Sequence, residues 1–208
     1  MIGRTRFSKS GVVAVLLTFC FITGYTQDDV LAKKEIEDHR KEQENEMRDK
    51  EKSPLLPKDR KKFKHLNYYP IDLKYRVRAK FVRTENEPLF RMKTTTTRLP
   101  EYVKYGEVHF TLDGQAYKLN VYQSPEIMKR PGYEDYLFIP FTDKTNGKET
   151  YDVGRYIEFR IPTSEDVIVD FNQNYNPYCS YNHTYSCPIP PAENDLPIEI
   201  PAGEKKFH

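Results

Sequence analysis

The chain has 208 residues, the size of one ordinary domain, with 33 Lys and Arg against 31 Asp and Glu and a net charge of +2. So even a balance excludes a global field that would gather nucleic acid or an acidic membrane surface. Trp is absent, while 16 Tyr and 12 Phe supply side chains that suit pleated, half-buried surfaces.

The first residues carry a targeting pattern. Arg4, Arg6 and Lys9 precede an apolar run from Val12 that continues through Phe19, Phe21 and Ile22. At roughly a dozen residues the run is too short for a span of ~20, but it suits the core of a signal segment. Gly24 and Thr26 place small side chains ahead of a cut before Gln27. Residues 1–26 therefore read as a signal peptide, and the protein as periplasmic or secreted, with no transmembrane span in the mature chain. Lipid anchoring through Cys20 is the lesser alternative, because bulky Phe19 stands where that processing requires a small residue.

Residues 27–57 read as a charged helix and linker. The stretch 28–52 has no Gly or Pro, and Glu37–Lys41, Glu44–Arg48 and Glu46–Lys50 are i,i+4 pairs in the favourable order. Val30, Leu31, Ile36 and Met47 make no full apolar stripe, so the helix is expected to be mostly solvated and to lean on the domain at a few points. Pro54 and Pro57 are expected to end it. The basic cluster Lys58 to Lys64 reads as a solvated linker.

Residues 58–208 read as one mainly β domain. In Tyr75 to Val82, apolar Tyr75, Val77, Ala79 and Phe81 alternate with Arg76, Arg78 and Lys80, the period of a half-buried strand. Leu89 to Arg98 reads as a second strand. Val108, Phe110 and Leu112 lead into Asp113-Gly114 and then Tyr117, Leu119 and Val121, a strong hairpin signal. Tyr136 to Ile139 and Val167 to Val169 are short apolar runs suited to buried strands, and Tyr156 to Ile161 alternates again. Ile198 to Ile200 is a possible last edge strand between Pro197 and Pro201. These elements predict a single sandwich or small barrel of about eight strands.

Two polar stretches interrupt the strands. In the first, Phe141 to Tyr156, Arg155 opens a strand and calls for a carboxylate from Asp143, Glu149 or Asp170 if buried. It could equally clamp an anionic ligand. The second, Asp170 to Asn194, is a long Pro/Asn/Tyr-rich loop without strand periodicity, a length that in compact domains is often functional. Once Cys20 is removed, Cys179 and Cys187 remain, and an oxidising compartment invites their pairing across a loop of about nine residues, worth roughly 2–3 kcal/mol.

Asp170-Phe-Asn, Tyr175-Asn-Pro-Tyr-Cys179, Cys187-Pro-Ile-Pro-Pro191, Glu193-Asn194 and Ala202-Gly-Glu-Lys205 resemble the signature of an uncharacterised bacterial family, domain of unknown function 1684. Ser53-Pro54-Leu55, Phe63 to Pro70, Tyr105-Gly106 and Thr150-Tyr151 through Gly154-Arg155-Tyr156 fit it too. The resemblance covers most of the mature chain and implies that Arg155, Asp170, Asn172, Asn176, Cys179, Cys187 and Glu193 share one motif. It implies no activity, substrate or cofactor.

Three chemistries compete for the cysteine stretch. Cys179 could be a nucleophile served by His109 or His183. Cys179, His183 and Cys187 could hold a metal, although C-x3-H-x3-C matches no strong zinc signature. The cysteines could instead pair, or lie buried and inert, while the loop folds over one end of the β domain; this third reading is favoured, and no metal or cofactor is expected. The chain then reads as a non-enzymatic domain binding a small polar organic ligand or an envelope component. Its candidate ligand residues are Arg155, Asp143, Tyr156, Asp170, Asn172, Asn176 and Glu193. The alternative is a small hydrolase-like enzyme using Asp143, Asp170 or Glu193 with Arg155 as anion anchor.

Overall fold

The structure, a computed structural model, describes residues 26–207. The expected signal segment therefore lies outside the described residues apart from Thr26, and Cys20 lies outside them altogether.

Helix α1 spans Gln27–Arg48. Thr26 caps it: the Thr26 hydroxyl accepts the Asp29 N–H at 3.2 Å and the Asp29 carboxylate accepts the Thr26 N–H at 3.1 Å, a reciprocal capping box. Ala32, Ile36 and Met47 are buried against the domain, while Val30 and Leu31 point to solvent. The helix stops before the prolines expected to end it, where Asp49 turns its carboxylate back to the N–H groups of Glu51 and Lys52. Of the expected pairs, Glu44–Arg48 forms at 2.9 Å, whereas Glu46 turns inward to the Tyr178 hydroxyl. Glu35 bridges to Arg76 at 2.7 Å. A short helix, α2 (Pro57–Arg60), follows.

Among the described residues the domain is an antiparallel sheet of seven strands curled into a half-barrel, where the sequence predicted a sandwich or small barrel of about eight. The strands are β1 (Arg76–Arg83), β2 (Phe90–Arg91), β3 (Glu101–Leu112), β4 (Gln115–Gln123), β5 (Tyr136–Phe141), β6 (Arg155–Arg160) and β7 (Asp166–Asp170). They run in the order β6-β5-β4-β3-β1-β7, and β2 pairs with β3. The β3–β4 hairpin turns on Asp113 and Gly114, both at positive φ (52° and 76°), as its two-residue loop requires. Gly106 sits at a register shift in β3; a Cβ there would lie 2.6 Å from the Phe81 ring.

Two expected strands do not form as drawn. Of Leu89 to Arg98, only Phe90 and Arg91 join the ladder. The Thr94 hydroxyl closes a local turn by donating to the Arg98 carbonyl at 2.7 Å, the competition that hydroxyl side chains bring to extended backbone. Ile198–Ile200 forms no strand, because Pro197 and Pro201 remove donors and the Ile200 carbonyl is spent on Arg155. Val167–Val169 does form within β7, but at the sheet edge, with Ile168 42% exposed.

Strand alternation sorts side chains into two clusters. Leu137, Ile139 and Phe141 of β5 join the main core with Val108, Leu119, Val121 and Val169. Tyr136 and Phe138 point the other way, into an aromatic cluster with Met92, Tyr102, Tyr122 and Tyr156. Both faces of β5 are covered, which explains its unbroken apolar run.

The C-terminal segment closes the half-barrel. Phe171, Leu196, Ile200 and Ala202 pack into the main core, while Tyr175 packs against the aromatic cluster. Between these points Tyr175 pairs with Tyr156 on the β6 edge through two backbone bonds of 2.9 and 3.0 Å. A chain that passes from one face to the other and back has no reason to keep strand periodicity.

Asparagines pin that segment by imitating backbone. The Asn172 side chain accepts from the Asp72 N–H at 3.0 Å and donates to the Asp72 carbonyl at 2.9 Å. Asn194 does the same to Asn120 at 2.8 and 2.9 Å, and also donates to the Pro140 carbonyl at 2.7 Å. Pro140 has no N–H to extend the β4–β5 ladder, and the Asn194 amide is wedged in where pairing lapses. Asn174 donates to Ala202 and Asn176 to Lys205. The partners of these amides are distant in the chain.

Candidate functional site

The predicted site residues occupy separate places. Arg155 is fully buried, and its ion pair with Asp143 is 2.6 Å long with both side chains sealed from solvent. The guanidinium also donates to the carbonyls of Ala202 at 2.6 Å and Ile200 at 2.9 Å and to Asn174 Oδ1 at 3.2 Å. Asp143 in turn accepts from the Thr145 N–H and hydroxyl at 2.8 and 2.6 Å. Burial pulls the guanidinium down from its usual range, and Asp143 opposes that pull. Asp170 pairs with Arg76 at 2.8 Å and accepts the Asn172 N–H. Glu193 is exposed at the start of a single 3-10 turn. The carboxylates named for hydrolysis thus do not converge in one accessible cavity.

Glu204, part of the Ala202-Gly-Glu-Lys205 piece but not named as a site residue, lies beside this corner. Its carboxylate accepts from the Tyr181 hydroxyl at 2.5 Å and the Asn176 N–H at 2.9 Å. Burial pushes its carboxyl up to about 7 despite those donors, and the buried Asn176 Oδ1 has no donor. The folded state therefore holds a proton that the unfolded chain releases near 4.5. Stability from this group is fully present below about 4.5 and is lost as pH rises through about 7. Glu204→Gln is expected to gain on wild type by roughly 3 kcal/mol between pH 4 and pH 8. Urea unfolding of both proteins across that range reads the difference.

Asp170 borders a cavity of about 210 Å³, and Tyr156 reaches a second. A cleft of about 330 Å³ opens over the aromatic cluster. Its floor is Phe138, Tyr136, Tyr156 and Tyr175. Tyr156 meets Phe138 edge-on at 4.9 Å and Tyr175 at 5.9 Å, and its hydroxyl donates to the Pro188 carbonyl. The α1 side chains Gln43 and Glu46 form one wall. The opposite wall is the run Tyr185 to Pro188, held by Arg98 on the Ser186 carbonyl at 2.8 Å and by Thr95 N–H on the Cys187 carbonyl at 2.9 Å. Arg130, Glu126 and Glu158 stand at the rim. Burial raises the phenols of Tyr136, Tyr156 and Tyr175, and that of Tyr102 to about 12. The lining thus combines phenols kept neutral on flat apolar faces with the acidic and basic side chains of Glu46, Arg98, Glu126, Arg130 and Glu158. Composition signalled many tyrosines; nothing in their spacing showed that strand alternation and the segment's crossing would bring them together.

The cysteines do not form the expected disulfide here. Both are buried free thiols, with the Cys179 N–H donating to Cys187 Sγ at 3.1 Å. His183 is exposed and His109 pairs with Glu107 on the sheet surface at 2.8 Å, so neither serves the thiols. Among the described residues no three metal-ligating side chains gather, and no helix is long and apolar enough to cross a membrane.

The family model described as protein of unknown function (DUF1684) matches residues 61–205. The chain belongs to the DUF1684 family. An uncharacterized protein of Haloarcula marismortui, solved in solution by NMR, is 31% identical, with 86% of this chain and 96% of that chain covered and a TM-score of 0.67. No curated protein matches the chain. The DUF1684 match spans the sheet, the Arg155 corner, the cleft floor and both cysteines. Gln43 and Glu46, the wall from α1, precede it.

Proposed function

We propose that this chain is an exported binding domain and that its site is the tyrosine-lined cleft, which takes a small polar organic ligand or an envelope component. The observation that carries the reading is the cleft itself. Its volume of about 330 Å³ falls within the roughly 300–1,000 Å³ of ligand sites, and its lining mixes aromatic faces with polar and charged groups that would orient a ligand. Tyrosines offer flat faces with a hydroxyl at the edge, which suits sugars and other polar organic molecules. The side chains of Arg130 and Glu158, which line the cleft, show no hydrogen bond or ion pair among the described residues, so a ligand can use them without breaking the fold. The Arg155 corner is on this reading scaffold rather than contact surface.

Native mass spectrometry of the purified protein tests the site. A retained small molecule is expected, released on denaturation, with occupancy reduced at least tenfold in Arg130→Ala or Glu158→Ala at unchanged melting temperature. Retention indifferent to both substitutions would remove the cleft from consideration. Export is tested by the intact mass of the protein from the cell envelope. A cut before Gln27 would also take away Thr26 and leave α1 without its cap, a cost of about 1 kcal/mol.

A further inference from the structure

The Cys179 N–H donates to Cys187 Sγ at 3.1 Å, which sets the two thiols side by side at different depths. Cys187 lines the cleft, whereas Cys179 sits behind it, 2% exposed. Behind Cys179 the Tyr151 hydroxyl approaches its sulfur at 3.6 Å, and the Thr95 hydroxyl also bonds it. Nothing in the site described above uses either sulfur. The exposed turn at His183 and Thr184 lies between them, while Tyr181 and Asn182 are tied to Glu204 and to the Pro54 carbonyl.

We propose that Cys179 and Cys187 form a redox-active dithiol, a modification site that low-molecular-weight disulfides close by entering the cleft at Cys187. The surrounding groups make Cys179 the base of the pair, able to take the proton from Cys187 when Cys187 attacks. The hydrogen bond from Cys187, helped by Tyr151 and Thr95, holds the Cys179 thiol down at about 6 against burial, while Cys187 is pushed up as the proton's keeper. The pair therefore shares one proton near neutral pH.

When a disulfide RS–SR enters the cleft, Cys187 passes its proton to Cys179 and attacks one sulfur. A Cys187–SR bond forms, the S–S bond breaks, and RS⁻ leaves with the electron pair. That thiolate takes the proton back from Cys179. The Cys179 thiolate then attacks Cys187 Sγ, forming the protein disulfide and expelling the second RS⁻, which takes a proton from water. Two protein sulfurs are oxidised and one small disulfide is reduced to two thiols. Closure ties the Tyr178–Ser180 turn to the cleft wall that ends at Pro188. The proposal stands whether or not the cleft also holds a ligand.

The chain supplies a convenient readout. No Lys or Arg lies between Arg160 and Lys205, so a single tryptic peptide carries both cysteines and excludes Cys20. Reduced full-length protein is incubated with oxidised glutathione, alkylated and digested. The wild-type peptide is expected to lose about two mass units and to carry neither alkyl group nor glutathione, with any transient glutathione adduct mapping to Cys187. Cys179→Ser is expected to trap one glutathione on Cys187, and Cys187→Ser to react at least tenfold more slowly. A wild-type peptide that stays fully alkylated, that keeps its glutathione, or whose first adduct maps to Cys179 would overturn the proposal. The wild-type arm decides even if either variant folds poorly.

Discussion

Replacing Arg155 with Met is expected to lower unfolding free energy by about 3–5 kcal/mol, the cost of breaking a buried ion pair from one side. The substitution leaves the Asp143 carboxylate without its counter-ion in a sealed corner, with only the Thr145 donors and the Ile200 N–H at 3.3 Å for company. It also strips the guanidinium donor from the Ile200 carbonyl and leaves the Ala202 carbonyl with Asn174 alone. Set against a typical total of about 5–15 kcal/mol, this is enough to depopulate the fold on warming. Guanidinium unfolding at neutral pH measures it. Adding Asp143→Leu should return part of the loss, because the double variant no longer strands a charge. Were Arg155 a ligand contact in an open pocket, its loss would weaken binding and leave stability nearly unchanged.

Gly203→Ala is expected to cost about 2–4 kcal/mol, combining left-handed backbone strain with overpacking. Gly203 has φ +75°, and an added Cβ would stand 2.2 Å from Asn174 Oδ1 and 2.6 Å from the Phe171 carbonyl. Asn174 can move only by releasing Arg155 and the Glu204 N–H. Gly114→Ala is the control. At φ +76° it carries the same kind of strain with nothing within 4 Å of the new atom, and about 1 kcal/mol is expected there. Parallel thermal melts of the two variants read the excess that belongs to the corner.

Much of the sheet was legible because alternation is a local signal. The β1 face of Val77, Ala79 and Phe81 and the Asp113-Gly114 hairpin stand where period and turn chemistry put them. Ile198–Ile200 misled, since its pattern suits a strand while the ion pair claims its backbone. The need of Arg155 for a buried carboxylate was also readable, and Asp143 was among the partners named. What could not be read was where the remaining polar groups go. Glu193 looked like chemistry, yet its neighbour Asn194 is the residue held in the core. The available clue was Pro140, a strand residue that cannot donate and so leaves a gap for a side-chain amide. The cleft was illegible for a related reason. Its walls come from α1, β5, β6 and the crossing segment, and no sequence period links them.

The account rests on the segment after β7 being locked to the sheet by its asparagines, because that lock builds both the Arg155 corner and the cleft wall. Residue-resolved amide exchange tests it most directly. The N–H groups of Asn172, Tyr175, Asn176, Leu196 and Glu204 all have partners within the fold, and they are expected to exchange as slowly as those of β3 and β4, while the exposed His183 and Thr184 exchange fast. Uniformly fast exchange from Phe171 to Glu204, beside a protected β3–β4 hairpin, would contradict it.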